Sequence, residues 1–142
     1  EAYFVTDLET FKKMFEGRTV ILENAQAFLE MQEKYGVNAV FAACVTIAES
    51  SGGTNWAAID PSTHNWFSIK GSYRGNSKNG WRSYPSFAAA VDDFGDLIAN
   101  GSYYYKSGRY TVSQIGPTYC NEQWSVTVAS LMTTAYEKVL NN

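Results

Sequence analysis

Glu49 closes the most apolar run of the chain, Ala39–Ala48. Read as a helix, the run stacks Glu49 above Val45 and Phe41, at spacings of four and eight. Both neighbours are apolar, so the carboxyl is set against a desolvated surface near the negative end of the helix dipole. Desolvation and the dipole each penalise the anion and predict a raised pKa. A carboxylic acid held protonated near neutral pH can donate its proton to a leaving oxygen, the step that opens glycoside cleavage. The plainer alternative is a helix-end glutamate that faces water. Ser50-Ser51-Gly52-Gly53-Thr54-Asn55-Trp56 follows, a small polar loop ending in a large ring. Such a loop leaves the carboxyl open to a cleft.

Asp60 is the only other acid between Glu49 and Asp92. Standing before Pro61, it reads first as a turn residue and second as a helper carboxylate. His64 is the sole histidine, and Cys44 and Cys120 lack metal-site spacing. A zinc site therefore finds no support, nor do His-dependent triads unless His64 itself serves, and no metal or organic cofactor is implied. Cys44 reads as a buried hydrophobe with nothing nearby to activate it as a nucleophile. A Cys44–Cys120 disulfide stays open. Asp92, Asp93 and Asp96 read as a solvated helix face. Tyr103-Tyr104-Tyr105 has no ready chemical role beyond packing or extending a binding surface.

The elements that must position Glu49 follow from capping and period. Thr6-Asp7-Leu8-Glu9 reads as a capping box for a helix to about Glu16, ended by Gly17. A second helix is expected over 19–35, ended by Gly36. Asn38 caps a third over 39–50, apolar on most sides and so central. Gly71 to Tyr84 suggests a small β-hairpin. Pro85-Ser86 opens a helix to about Ala99, Thr111–Ile115 forms a short one stopped by Gly116-Pro117, and the last runs over 121–140. The sum is α+β, mostly α, in one domain: 18–142 as core, 1–17 as an N-terminal helix extension.

The 142 residues are 45% hydrophobic, 18% charged and 15% aromatic, a globular composition. Eight Phe, four Trp and ten Tyr exceed what so small a core hides, so some rings are expected on a stacking surface. Trp56, Trp66, Tyr73 and Trp81 flank the expected cleft. Net charge is −3 and no Lys/Arg cluster exceeds a pair, which argues against a nucleic-acid partner. The longest apolar run is about half a membrane span. With no signal-peptide pattern and no initiating Met, the chain reads as a mature or excised domain, compatible with a larger modular protein and a monomer by default.

Ala48-Glu49-Ser50, the Gly/Thr/Trp loop and then Asn65-Trp66-Phe67-Ser68-Ile69-Lys70-Gly71 resemble the glucosaminidase family of bacterial cell-wall hydrolases (glycoside hydrolase family 73). Trp81-Arg82-Ser83-Tyr84-Pro85-Ser86-Phe87 before an acidic helix and Ile115-Gly116-Pro117-Thr118-Tyr119-Cys120 before Trp124 extend the likeness more loosely, over about 20–140. The resemblance implies a lysozyme-like fold with the hairpin flanking a glycan cleft. It implies Glu49 as the general acid, Asn65, Trp66 and Phe67 lining the cleft, and Tyr119 near the acid. It implies peptidoglycan as substrate, cut at the β-1,4 backbone, most simply as an endo-β-N-acetylglucosaminidase acting outside the membrane at the wall. The chain departs in one respect: Lys70 to Tyr84 holds no Asp or Glu, where family members commonly carry a second carboxylate. Three accounts follow: Asp60 substitutes, the substrate's N-acetyl group assists, or the chemistry is lytic transglycosylation with a single acid/base. A muramidase on the same glycan and a non-catalytic glycan-binding module are the rival readings.

Overall fold

A computed structural model describes residues 3–140. Among them seven α-helices enclose one core and carry a two-stranded antiparallel hairpin. They are α1 (Leu8–Met14), α2 (Thr19–Glu23), α3 (Ala25–Tyr35), α4 (Ala39–Ser50), α5 (Phe87–Asn100), α6 (Val112–Tyr119) and α7 (Glu122–Leu140). The strands are β1 (Ser77–Lys78) and β2 (Trp81–Arg82), paired Ser77 to Arg82 and Lys78 to Trp81.

Helix α4 is the central element. Every residue from Ala39 to Thr46 is buried, so its apolar run packs on all sides. The Asn38 side chain accepts from the Val40 and Phe41 amides and fixes its start. Helix α3 packs on α5, α7 on α4, and α6 on α7. Close approach explains two glycines. A Cβ on Gly95 would stand 2.5 Å from Met31, and one on Gly116 would stand 1.6 Å from Ser125 Oγ. α1 buries Phe11 and Met14 and lies against α3 and α7.

Three local expectations change. The expected helix over 19–35 breaks at Asn24, whose side-chain amide donates to the Val20 carbonyl and ends α2. Asp7, not Thr6, caps α1, accepting from the Thr10 amide and hydroxyl. Helix α6 runs through Gly116-Pro117 to Tyr119. The proline removes one amide, but its i−4 partner Ser113 is exposed and can be hydrated instead. A Thr111/Gln114 capping box secures the helix start.

The hairpin turns at Asn79-Gly80, both at positive φ (53° and 83°), as a two-residue turn matched to strand twist requires. Lys70 bridges to Trp81, and the Gly71 amide donates to the Gly80 carbonyl. The segment after Asn65 thus runs alongside β2.

Candidate active site

Glu49 sits on the last turn of α4, half-buried. Its neighbour Ser50 locks that end of the helix. The buried Ser50 hydroxyl donates toward the Thr46 and Trp66 carbonyls and accepts from the Gly53 amide. The Ser50 carbonyl collects the amides of Gly53, Thr54 and Asn55, each at 3.0 Å. The loop after the acid is therefore a tight knot tied to the 65–71 segment.

Burial raises the Glu49 pKa above the ordinary glutamate value, and this outweighs the Ser68 hydroxyl and the Trp124 indole N–H, both of which face the carboxyl and favour its anion. The Trp124 indole nitrogen is enclosed and meets hydrogen-bond geometry with no acceptor. The N–H is thus near the carboxyl but outside hydrogen-bond geometry with it. Trp124 is placed by the Asn121 side chain, which accepts from its amide, and by Tyr119, on which it stacks at 4.8 Å. Ser68 holds φ = 57°, unusual for a residue with a side chain. Such backbone conformations persist where surrounding structure enforces them, often at functional sites.

Sequence reasoning did not single out Ser68 or Trp124 as partners of the acid. The signal for Trp124 was Asn121, a cap that sets its position in the first turn of α7. No signal marks Ser68, because left-handed backbone is legible mainly at glycine.

Asn65, Trp66 and Phe67 depart from the expected cleft wall: all three are fully buried. The Asn65 side chain binds the Ile69 amide and the Ile69 and Arg82 carbonyls, so it shapes the 65–71 turn from inside. Trp66 packs among Phe28, Phe67 and Phe87, and Phe67 stacks on Phe94 at 4.3 Å. Large rings in this segment gain more from the core than from a sugar face. Trp56, Tyr73 and Trp81 are half-buried and keep surface for stacking.

Tyr119 has a partly exposed ring, but its hydroxyl is enclosed and donates to the Phe67 carbonyl. Burial, then the nearby Glu49 charge, pushes its pKa well above the usual tyrosine value. Asp60 belongs to a turn. It accepts from the Ser62 amide, capping the 3-10 turn Pro61–Thr63, and pairs with Lys78 at 2.5 Å. These hydrogen bonds, Lys78 first, hold its pKa well below the usual carboxylate range. A carboxylate so stabilised is a weak base, and its partners tie the loop to β1. His64 contacts the Tyr84 carbonyl through Nδ1 at 2.9 Å and faces Phe87 edge-on.

Of the helix face expected to be solvated, Asp96 is exposed, whereas Asp92 and Asp93 are engaged. Asp93 accepts from Arg82 Nη1 at 2.7 Å and from the Tyr84 hydroxyl at 2.6 Å, anchoring the hairpin to α5. Asp92 holds Lys34 and Tyr35. The Cys44 and Cys120 thiols are both free, one buried and one exposed. Among the described residues no group of three His, Cys, Asp or Glu is placed to hold a metal.

The hairpin's charge pattern was overlooked as well. Lys70, Arg74, Lys78 and Arg82 recur every fourth residue with no acid among them. A search for contiguous basic pairs misses cations gathered by a hairpin.

A family model described as glucosaminidase, mannosyl-glycoprotein endo-beta-N-acetylglucosaminidase, matches residues 25–138. No curated protein matches the chain in sequence. A Staphylococcus aureus crystal structure described as N-acetylmuramoyl-L-alanine amidase is similar over 92% of this chain, with a TM-score of 0.68 and 24% identity. This chain spans 42% of that chain's length. The catalytic domain of the autolysin Auto from Listeria monocytogenes is similar over 100% of both chains, with a TM-score of 0.66 and 19% identity. Both likenesses concern the fold, which is of the lysozyme-like type.

Proposed function

The chain belongs to the glucosaminidase family, and from that membership we propose that it is a peptidoglycan hydrolase, an endo-β-N-acetylglucosaminidase with Glu49 as general acid. The observation that carries the reading is Glu49 itself. It is half-buried beside a rigid loop, its pKa is raised by burial, and it lies inside the matched segment. Fold likeness to an autolysin catalytic domain agrees with a cell-wall substrate.

Glu49 protonates the glycosidic oxygen as an oxocarbenium-like transition state develops at the sugar. Its conjugate base then accepts from Ser68 and Trp124, whose donors already face it. Trp56, Tyr73 and Trp81 offer ring faces to the sugars, and Asn65 holds the 65–71 turn that carries Ser68. The domain works as one unit (18–142 with 1–17 attached) at the wall, outside the membrane, where the substrate is. Among the described residues no helix is long and apolar enough to cross a membrane.

A second reading is favoured by one specific observation. Asp60 is bound to Lys78, and the hairpin carries no carboxylate. A single enzyme acid then suffices, either with help from the substrate's N-acetyl group or as a lytic transglycosylase.

Mass spectrometry of muropeptides released from purified sacculi by the wild type and by Glu49→Gln tests both. Reducing-end N-acetylglucosamine products, absent with the variant, are expected. Anhydro ends, one water lighter, select the transglycosylase, and reducing-end N-acetylmuramic acid selects a muramidase. Sacculi bound without release would reduce the domain to a binding module.

A further inference from the structure

Beside the acid lies a cavity of about 310 Å³ that none of the roles above uses. Ser68, Lys70, Arg82, Tyr103, Thr118 and Tyr119 are among the residues that line it. It is at the small end of ligand pockets, which span about 300–1,000 Å³. That volume suits a substituent of a few heavy atoms rather than a polymer strand. Ser68 borders both the cavity and Glu49. A group filling the cavity is therefore carried on a sugar at or next to the bond being cut.

The cavity's charge is one-sided. No carboxylate lines it. Arg82 is committed: its Nη1 donates to Asp93 and its Nε to the Lys70 carbonyl. Lys70 is exposed, and among the described residues its ammonium forms no ion pair, standing 5.9 Å from the centre of the Trp81 ring. Its backbone is fixed by the bridge to Trp81. Tyr103, which lines the same cavity, is 67% exposed, a ring free to cover an apolar stem. An ammonium carried on a fixed backbone and an exposed ring, both lining one cavity, are complementary to a short group with an apolar stem and an anionic end.

The geometry points to a subsite, separate from the sugar-stacking rings, for the carboxylate-bearing substituent of a muramyl residue, with Lys70 as its ion partner and Tyr103 as its apolar wall. The inference rests on the proposed peptidoglycan substrate. The carboxylate has two sources, the free lactyl group of a stem-less sugar or the carboxyls of an attached stem peptide. The first lies on the lactyl ether itself, and the second lies farther out, beyond the amide into which the lactyl carboxyl is converted.

The test compares wild type, Lys70→Gln and Lys70→Arg on three preparations from one batch of sacculi freed of phosphate polymers. The first is untreated, the second is stripped of stem peptides by an amidase, and the third has its carboxylates amidated with carbodiimide and ammonia. Lys70→Gln should raise KM about threefold to fivefold on carboxylate-bearing sacculi with kcat unchanged, as a half-exposed ion pair allows. Lys70→Arg should restore it. On amidated sacculi the wild type should show the variant's KM. Dependence kept on stripped strands assigns the lactyl group, and dependence lost there assigns the stem. Equal KM ratios on amidated and untreated sacculi would overturn the subsite. So would a dependence on Lys70 that appears only when phosphate polymers are left in place, since that assigns a phosphodiester. Cosedimentation of the same variants in a Glu49→Gln background reads the subsite without turnover. Failure of the hydrolase reading thus shows as sacculi bound but uncut, and failure of the subsite as binding indifferent to amidation.

Discussion

The Tyr119 hydroxyl donates to the Phe67 carbonyl, 2.5 Å away, across 52 residues of sequence. It joins the end of α6 to the turn carrying Ser68. Tyr119 therefore acts on the site by holding backbone. Trp124 stacks on the other face of this arrangement and brings its unpartnered indole N–H toward Glu49.

Tyr119→Phe keeps the ring and strands the carbonyl. A loss of about 1–2 kcal/mol in stability is expected, with a fall in turnover far smaller than that of Glu49→Gln. Chemical denaturation and sacculus hydrolysis measure the two. A collapse of turnover at unchanged stability would instead put the hydroxyl in the chemistry.

Glu49→Gln should lower kcat by about 100- to 10,000-fold. It should also stabilise the fold near neutral pH. A carboxyl whose folded pKa lies above its ordinary value of 4.5 binds more protons folded than unfolded. Its contribution is complete below the unfolded pKa and is lost as pH rises through the folded one. The Tm advantage of the variant should therefore vanish in acid and grow as pH rises through the folded pKa. The same titration sets the alkaline limb of wild-type activity. An advantage independent of pH would contradict burial as the cause.

Asp60→Asn separates the turn from the chemistry. Turnover should stay within about twofold of wild type, as for an exposed ion pair remote from reaction. The depressed Asp60 pKa stabilises above the unfolded value and is lost as pH falls, so the variant's Tm deficit should shrink in acid. A loss of kcat comparable to that of Glu49→Gln would make Asp60 the second carboxylate.

Asp93→Ala removes the shared acceptor of Arg82 and Tyr84, side chains largely shielded from water. A cost of about 2 kcal/mol is expected from the stranded donors. Amides of 69–82 should exchange faster with solvent, which hydrogen-exchange mass spectrometry resolves by segment.

Alkylation of the native protein should give one adduct, on Cys120. Cys44 is buried, and desolvation pushes its thiol up to about 12. Two adducts, or none without reductant, would contradict a pair of free thiols of unequal exposure.

Helices were legible where capping and period agreed, as at Asn38 before α4 and Ser86 before α5. They were misjudged where one side chain decided between competing backbone bonds, as at Asn24, or where solvent excused a proline, as at Pro117. At Glu49 the raised pKa was legible, because the helix it ends is apolar on most sides and half-buries the carboxyl. The roles of Asn65, Trp66 and Phe67 were not. A motif shows that residues are needed near a site, but not whether they face the ligand or hold its floor. Asp93 read as solvated because its partners, Arg82 and Tyr84, come from the hairpin.

The knot at Ser50 has a consequence for timing. Three amides share one carbonyl there, and the hydroxyl beside it is buried. Opening this region breaks several bonds at once, so it should exchange with the slowest, globally unfolding unit of the molecule. The hairpin, fastened to α5 mainly through Asp93, belongs to a faster unit. On the proposed function, the acid would then open with the slow half of the protein and the sugar-stacking hairpin with the quick half. Successive strands would then be admitted and released without disturbing the register of the acid.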